Sequence, residues 1–213
     1  MKRENDTRTV LRRLVSGPLF SAGLLLGLNG HLFGFWGIER FLFLPAKVAE
    51  GQWWRLITFP FVHVSWAHLL LDASAFAVLY TAMAPARTCQ RLAVVLACGL
   101  SSLGAAWVLS PEIQELGLCG LSGIDHGLMA VVTLTMAKDR TTRWLGFGGF
   151  SLLAAKVVFE TVAGDALFSN LYLGMCGIPL VACHLGGVLG GLAARALFAP
   201  GFGFRTGTAA WIR

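Results

Sequence analysis

Apolar residues run in six long blocks, at 14–33, 61–84, 92–109, 119–137, 144–163 and 178–199, and charged residues collect between them. Each block is roughly 20 residues long, which is what a hydrocarbon core of ~30 Å requires of a spanning helix. The pattern predicts an all-α membrane protein, with a six-transmembrane-helix bundle over 14–199 and tails at 1–13 and 200–213. Most connections are short. The exception is 34–60, whose aromatics Phe35, Trp36, Phe41, Phe43, Trp53 and Trp54 suit a segment lying in the membrane interface.

Composition sharpens this reading. With 56% hydrophobic and 13% charged residues and a mean hydropathy of +0.69, the chain falls outside the range of soluble globular domains. Its 26 glycines are spread along the apolar blocks, as close helix packing in lipid requires. A net charge of +6 raises nucleic acid as a partner, so the placement of the basic residues decides. Lys2, Arg3, Arg8, Arg12, Arg13, Arg87, Arg91, Lys138, Arg140, Arg143, Arg195, Arg205 and Arg213 all fall on one side of the six spans. The other side mixes Arg40, Lys47 and Arg55 with Glu39, Glu50, Glu112, Glu115 and Asp165. The positive-inside rule makes the first side cytoplasmic, with both termini there and the basic residues facing the lipid bilayer surface, not nucleic acid. Residues 1–13 read as a cytoplasmic tail, because no convincing small-residue cleavage site follows the first apolar block.

Polar side chains inside a span are costly and mark function or a buried pair. His68 lies 17 residues before Pro85, Ser122 lies 16 before Lys138, and His184 lies 16 before Pro200. At 1.5 Å per residue, each is roughly 24–26 Å from the cytoplasmic end of its span, just beneath the outer edge of the core. The even-numbered spans all run from outside to inside, so the three can converge where water reaches them. Glycines surround both Ser122, in Gly120-Leu121-Ser122-Gly123 with Gly127 beyond, and His184, in His184-Leu185-Gly186-Gly187 with Gly190 and Gly191 beyond. Two such faces let helices touch, and a serine hydroxyl against a neutral imidazole is an activated nucleophile. Each feature also has a plainer explanation: Gly-x-Ser-Gly as a packing motif, and a membrane histidine as an interhelical hydrogen bond. The combination favours hydrolysis.

Trp54-Arg55 in the outer loop, the run His63-Val64-Ser65-Trp66-Ala67-His68-Leu69-Leu70-Leu71-Asp72, and Gly120-Leu121-Ser122-Gly123 with His184, Gly187 and Gly191 together resemble the rhomboid family of intramembrane serine proteases. The resemblance runs from the first span to the sixth. It implies a Ser122 nucleophile and a His184 base with no third triad member. It also implies an oxyanion held by the Ser122 N–H and the His68 side chain, supported by Gly120, Leu121 and the residue at Asp72. Membrane-anchored proteins would be the substrates, and a bacterial inner membrane with the site toward the periplasm would be the setting.

Two positions depart from the family pattern. Asp72 stands where rhomboids usually carry Asn, and an ionised carboxylate cannot donate to an oxyanion; lying four residues from His68, it is placed to orient that ring. His126 stands where many rhomboids place Tyr under the catalytic histidine. The pattern Gly-Leu-Ser-Gly-x-x-His-Gly, with Lys156 and Glu160 in span five, looks like the rhombosortase branch, which implies C-terminal Gly-Gly-containing anchors as substrates.

Three other expectations follow. Lys156 and Asp125 each lie 13 residues from the cytoplasmic ends of their spans, marked by Arg143 and Lys138, so they share a depth; Lys156 is expected to be paired, holding span five to span four, with Glu160 one turn further out. Cys119 and Cys176 fall near the outer ends of spans four and six and are candidates for a disulfide, against the alternative that Cys119 is a small buried hydrophobe. No cofactor or metal site is indicated, because the histidines fit the hydrolytic site better. A non-catalytic rhomboid-like protein would keep the scaffold but lose Ser122 or His184. An ion transporter could use Asp72, Asp125, Lys156 and Glu160, but the chain shows neither inverted repeats nor broken helices.

Overall fold

The computed structural model describes residues 23, 25–83, 86–167 and 177–198. Both expected tails, half of the first expected span and Cys176 lie outside them. Within the described residues the fold is all-helical, and each of the last five apolar blocks contains one long helix: α1 (Trp66–Ala82), α2 (Thr88–Leu109), α3 (Ser122–Met136), α4 (Arg143–Ala163) and α5 (Ala182–Phe198).

Helix α3 is the hub, because all four other helices pack against it. Its sequence suits that place: Gly123, Ile124, Gly127, Leu128, Ala130, Val131 and Val132 are all buried. Around it, Met83, Val94, Cys98, Leu121, Leu128 and Ala194 form one apolar cluster, and Ala130, Leu153, Val157 and Val188 form another. Apolar residues on the periphery point outward instead. Leu92, Leu96 and Leu100 stand four residues apart on an exposed face of α2, and Trp144, Leu152 and Val162 are exposed on α4. An outward apolar face is what lipid selects.

Helices α2 and α4 are each long and apolar enough to cross a membrane, and a third span is present if the short helices over 55–61 are joined to α1 across a 95° bend. The bend corrects the expected start of span two. Ser65 caps α1 with its hydroxyl, which accepts the His68 N–H at 3.1 Å, so the helix begins at Trp66 instead of 61. Span four is also shorter than its apolar block, because residues 117–121 are drawn into other bonds. Phe43 and Leu118 exchange two backbone hydrogen bonds of 2.9 Å, and the Gly120 N–H reaches the Phe59 carbonyl at 3.1 Å. Gly117 and Gly120 take positive φ values of 69° and 97° to allow this path. The outcome is that α3 begins on Ser122.

Two close contacts hold α3 to α5. A Cβ on Gly187 would collide with the carbonyl oxygen of Gly123, and one on Gly191 with that of Gly127. Only glycine permits these approaches.

Candidate active site

A cavity of about 510 Å³ opens among the ends of α1, α3, α4 and α5, and its wall includes Ser122, His184, His68, Asp72, Asp125, His126, Lys156 and Glu160. Six of these come from matched or neighbouring heights on three helices, and the glycine contacts between α3 and α5 bring the serine and histidine helices together. Ser122, as the first residue of α3, has a backbone N–H without an intrahelical partner. Its hydroxyl lies 3.8 Å from Cys183 Sγ, its one recorded polar neighbour among the described residues.

His184 is buried, and its Nδ1 lies 2.8 Å from Glu160 Oε2. The other carboxylate oxygen, Oε1, accepts from Lys156 Nζ at 2.6 Å and from the Leu167 N–H at 2.9 Å. Lys156 also bonds His126 Nε2 at 2.9 Å, and His126 Nδ1 lies 2.6 Å from the Ser122 carbonyl. An ammonium can only donate and a carbonyl can only accept, so His126 carries its proton on Nδ1. Lys156 thus ties α4 to α3 through His126. Asp125 stays apart: it is buried, and its Oδ1 has no partner among the described residues.

On the opposite wall, Asp72 Oδ2 accepts the Leu121 N–H at 2.8 Å and lies 3.2 Å from His68 Nε2 and 3.5 Å from His63 Nε2. The Leu121 N–H is a fixed donor, so this oxygen is an acceptor. His68 receives the Val64 N–H on Nδ1 at 3.4 Å, which leaves the proton on Nε2, beside Asp72 and against Gly120. His63, fully buried, is the member of this group that residue-by-residue reasoning left out of the site. It lies in the expected second span but five residues further out than His68, off the level shared by His68, Ser122 and His184; its place at the head of the run ending in Asp72 was the available signal.

Arg55 and Trp54 act further out. Arg55 is buried and donates to the carbonyls of Glu39 at 2.5 Å and Leu42 at 2.7 Å and to Gln52 Oε1 at 2.8 Å, fixing the outer loop that pairs with Leu118. Trp54 is half-exposed. Cys119 is a free thiol, and its expected partner Cys176 lies outside the described residues.

Among the described residues one group has metal-ligand chemistry: His126, Glu160 and His184 each offer a ligand atom, all within 4.8 Å of one another. The Lys156 ammonium already bonds two of the three, so a cation is built into the cluster and the donors fit a hydrogen-bond network better than a metal.

The chain is 28% identical over 184 residues to "Rhomboid protease GluP" of Bacillus subtilis (strain 168), covering 83% of this chain and 32% of that protein. The chain therefore spans about a third of the length of that relative. No solved structure matches it significantly. The Rhomboid domain matches residues 50–201, most of the chain and every element that lines the cavity, and with its long apolar helices the chain belongs to the rhomboid family of integral membrane proteins.

Proposed function

We propose that this chain is an intramembrane serine endopeptidase in which Ser122 is the nucleophile and His184 the general base. The observation that carries this reading is that Ser122, at the start of α3, and His184, on α5, line one cavity on helices whose backbones touch at Gly123 and Gly187. The rhomboid match and the protease relative support the same chemistry.

In the reaction, Ser122 Oγ leaves its contact with Cys183 Sγ and takes His184 Nε2 as its partner. As Oγ attacks the scissile carbonyl, its proton passes to Nε2 and the carbonyl electrons become an oxyanion beside the Ser122 N–H and His68. Collapse breaks the C–N bond while His184 returns the proton to the leaving amine. Water then attacks the acyl ester, again giving its proton to His184, and Ser122 is regenerated. Asp72 contributes as an acceptor that orients His68 and the Leu121 peptide, not as an oxyanion donor.

The fuller reading has six spans with both termini inside and the site opening to the outer face, the periplasmic face in a bacterial inner membrane. Its substrates are membrane-anchored proteins cut near that face. The rhombosortase-like run from Gly120 to Gly127, with Lys156 and Glu160, supports Gly-rich C-terminal anchors as the substrate class. The test is cleavage of such an anchored reporter by purified full-length protein in proteoliposomes. Wild type should cut it, while Ser122→Ala and His184→Ala should each abolish cutting, with little further loss in combination. A Ser122→Ala protein that still cleaves overturns the reading.

A further inference from the structure

Ser122 and His184 account for bond making and breaking, but not for Glu160, a carboxylate with no exposed surface set against the far side of the histidine ring. Burying an unneeded charge is expensive, and α4 could be joined to its neighbours through apolar contacts alone. We propose that Glu160 is a positioning residue for the hydrolysis, the orienting third member of a Ser122–His184–Glu160 triad assembled from α3, α5 and α4, with Lys156 and His126 holding it in place. The proposal rests on the Ser–His reading and deepens it, since the expected arrangement had no third member.

Hydrogen accounting along the network carries the argument. Glu160 Oε1 accepts from two donors whose protons are certain, the Lys156 ammonium and the Leu167 N–H. That leaves Oε2, at 2.8 Å from His184 Nδ1, as an acceptor for Nδ1–H. With the proton on Nδ1, the lone pair of His184 is on Nε2, the nitrogen needed to receive the serine proton. The reverse tautomer would set a lone pair against a carboxylate. Glu160 therefore selects the catalytically competent form, as the acid of other serine hydrolases does.

Orientation is fixed in two ways. His126 stacks on His184 with ring centroids 4.0 Å apart and planes 11° from parallel, which sets the plane of the ring. Glu160 then sets its rotation within that plane. His126 is itself held at both ring nitrogens, by the Ser122 carbonyl and by Lys156. During attack the imidazole becomes imidazolium beside a carboxylate already matched by Lys156. No proton moves to Glu160; its charge stabilises the cation that forms.

The test uses the full-length protein in proteoliposomes with an anchored reporter and a fluorophosphonate probe, which reacts only with an activated serine. Ser122→Ala should neither cleave nor label. Glu160→Gln, which keeps the shape but loses the charge and the tautomer control, should lower kcat by about 100-fold or more with KM unchanged, and slow labelling by a similar factor. Glu160→Asp should recover part of the loss, to about 10-fold below wild type. If Glu160→Gln fails to fold, Glu160→Asp, which keeps the charge beside Lys156, is the deciding variant: a fall in kcat alone supports the triad, and a wild-type kcat overturns it. Wild-type kcat and labelling in a folded Glu160→Gln, with Ser122→Ala inactive, overturns the role of Glu160 and leaves the Ser–His pair standing. Activity in Ser122→Ala overturns the pair itself.

Discussion

His126 lies flat beneath His184, 4.0 Å away, and is at the same time the one side chain bonded to both Lys156 and the Ser122 carbonyl. It therefore acts twice, as a surface for the catalytic ring and as a link between α3 and α4. His126→Phe keeps the surface and removes the link. That variant should fold, keep KM and lose about 10-fold in turnover, while His126→Ala, which also gives up a ring contact of about 1 kcal/mol, should lose more. Cleavage rates and thermal unfolding of the two variants check the order.

The glycine contacts predict a sharp contrast between positions that look alike in sequence. Gly187→Ala forces a methyl into the Gly123 carbonyl and should cost about 2–3 kcal/mol, seen as a lower unfolding temperature and a lower rate. Gly148→Ala on α4, where a Cβ meets nothing within 4 Å, should leave both unchanged. Equal effects at the two sites would refute the packing account.

Asp72 works through one oxygen. Asn can present an oxygen at the same place, so Asp72→Asn should fold and keep at least a tenth of the activity. Asp72→Leu leaves the buried Leu121 N–H without its acceptor and should cost about 1–3 kcal/mol, with most of the activity lost. Denaturation curves and turnover separate the two.

Arg55 spans three acceptors with one planar fork. Lysine has a single donor centre and cannot reach them together. Arg55→Lys should therefore behave almost like Arg55→Leu, each destabilising by about 2 kcal/mol and loosening the outer loop. Faster proteolytic nicking within 34–54 in both variants would confirm it; rescue by lysine would contradict it.

These residues also mark how far the sequence could be read. Counting residues along each apolar block measures height in the membrane, and height alone set His68, Ser122 and His184 on one level, where all three line the cavity. Height carries no information about rotation, however. It matched Lys156 with Asp125, whereas the helix turns Lys156 toward His126 and Glu160, and leaves Asp125 Oδ1 without a partner among the described residues. The contact between Glu160 and His184 was hidden for the same reason, since it crosses between helices 24 residues apart. Helix ends were blurred where apolar composition continued past them: residues 119–121 read as span, but the Gly120 N–H bonds the Phe59 carbonyl and the Leu121 N–H bonds Asp72, so the helix starts only at Ser122.

The touching backbones of α3 and α5 carry a mechanical consequence. Two helices separated by side chains can drift, because rotamers yield under a change of temperature or bilayer thickness. Between Gly123 and Gly187, and between Gly127 and Gly191, no side chain intervenes to yield. The spacing of Ser122 and His184, the proposed nucleophile and base, is then a property of peptide geometry, and lipid can reach it only by tilting both helices as one body.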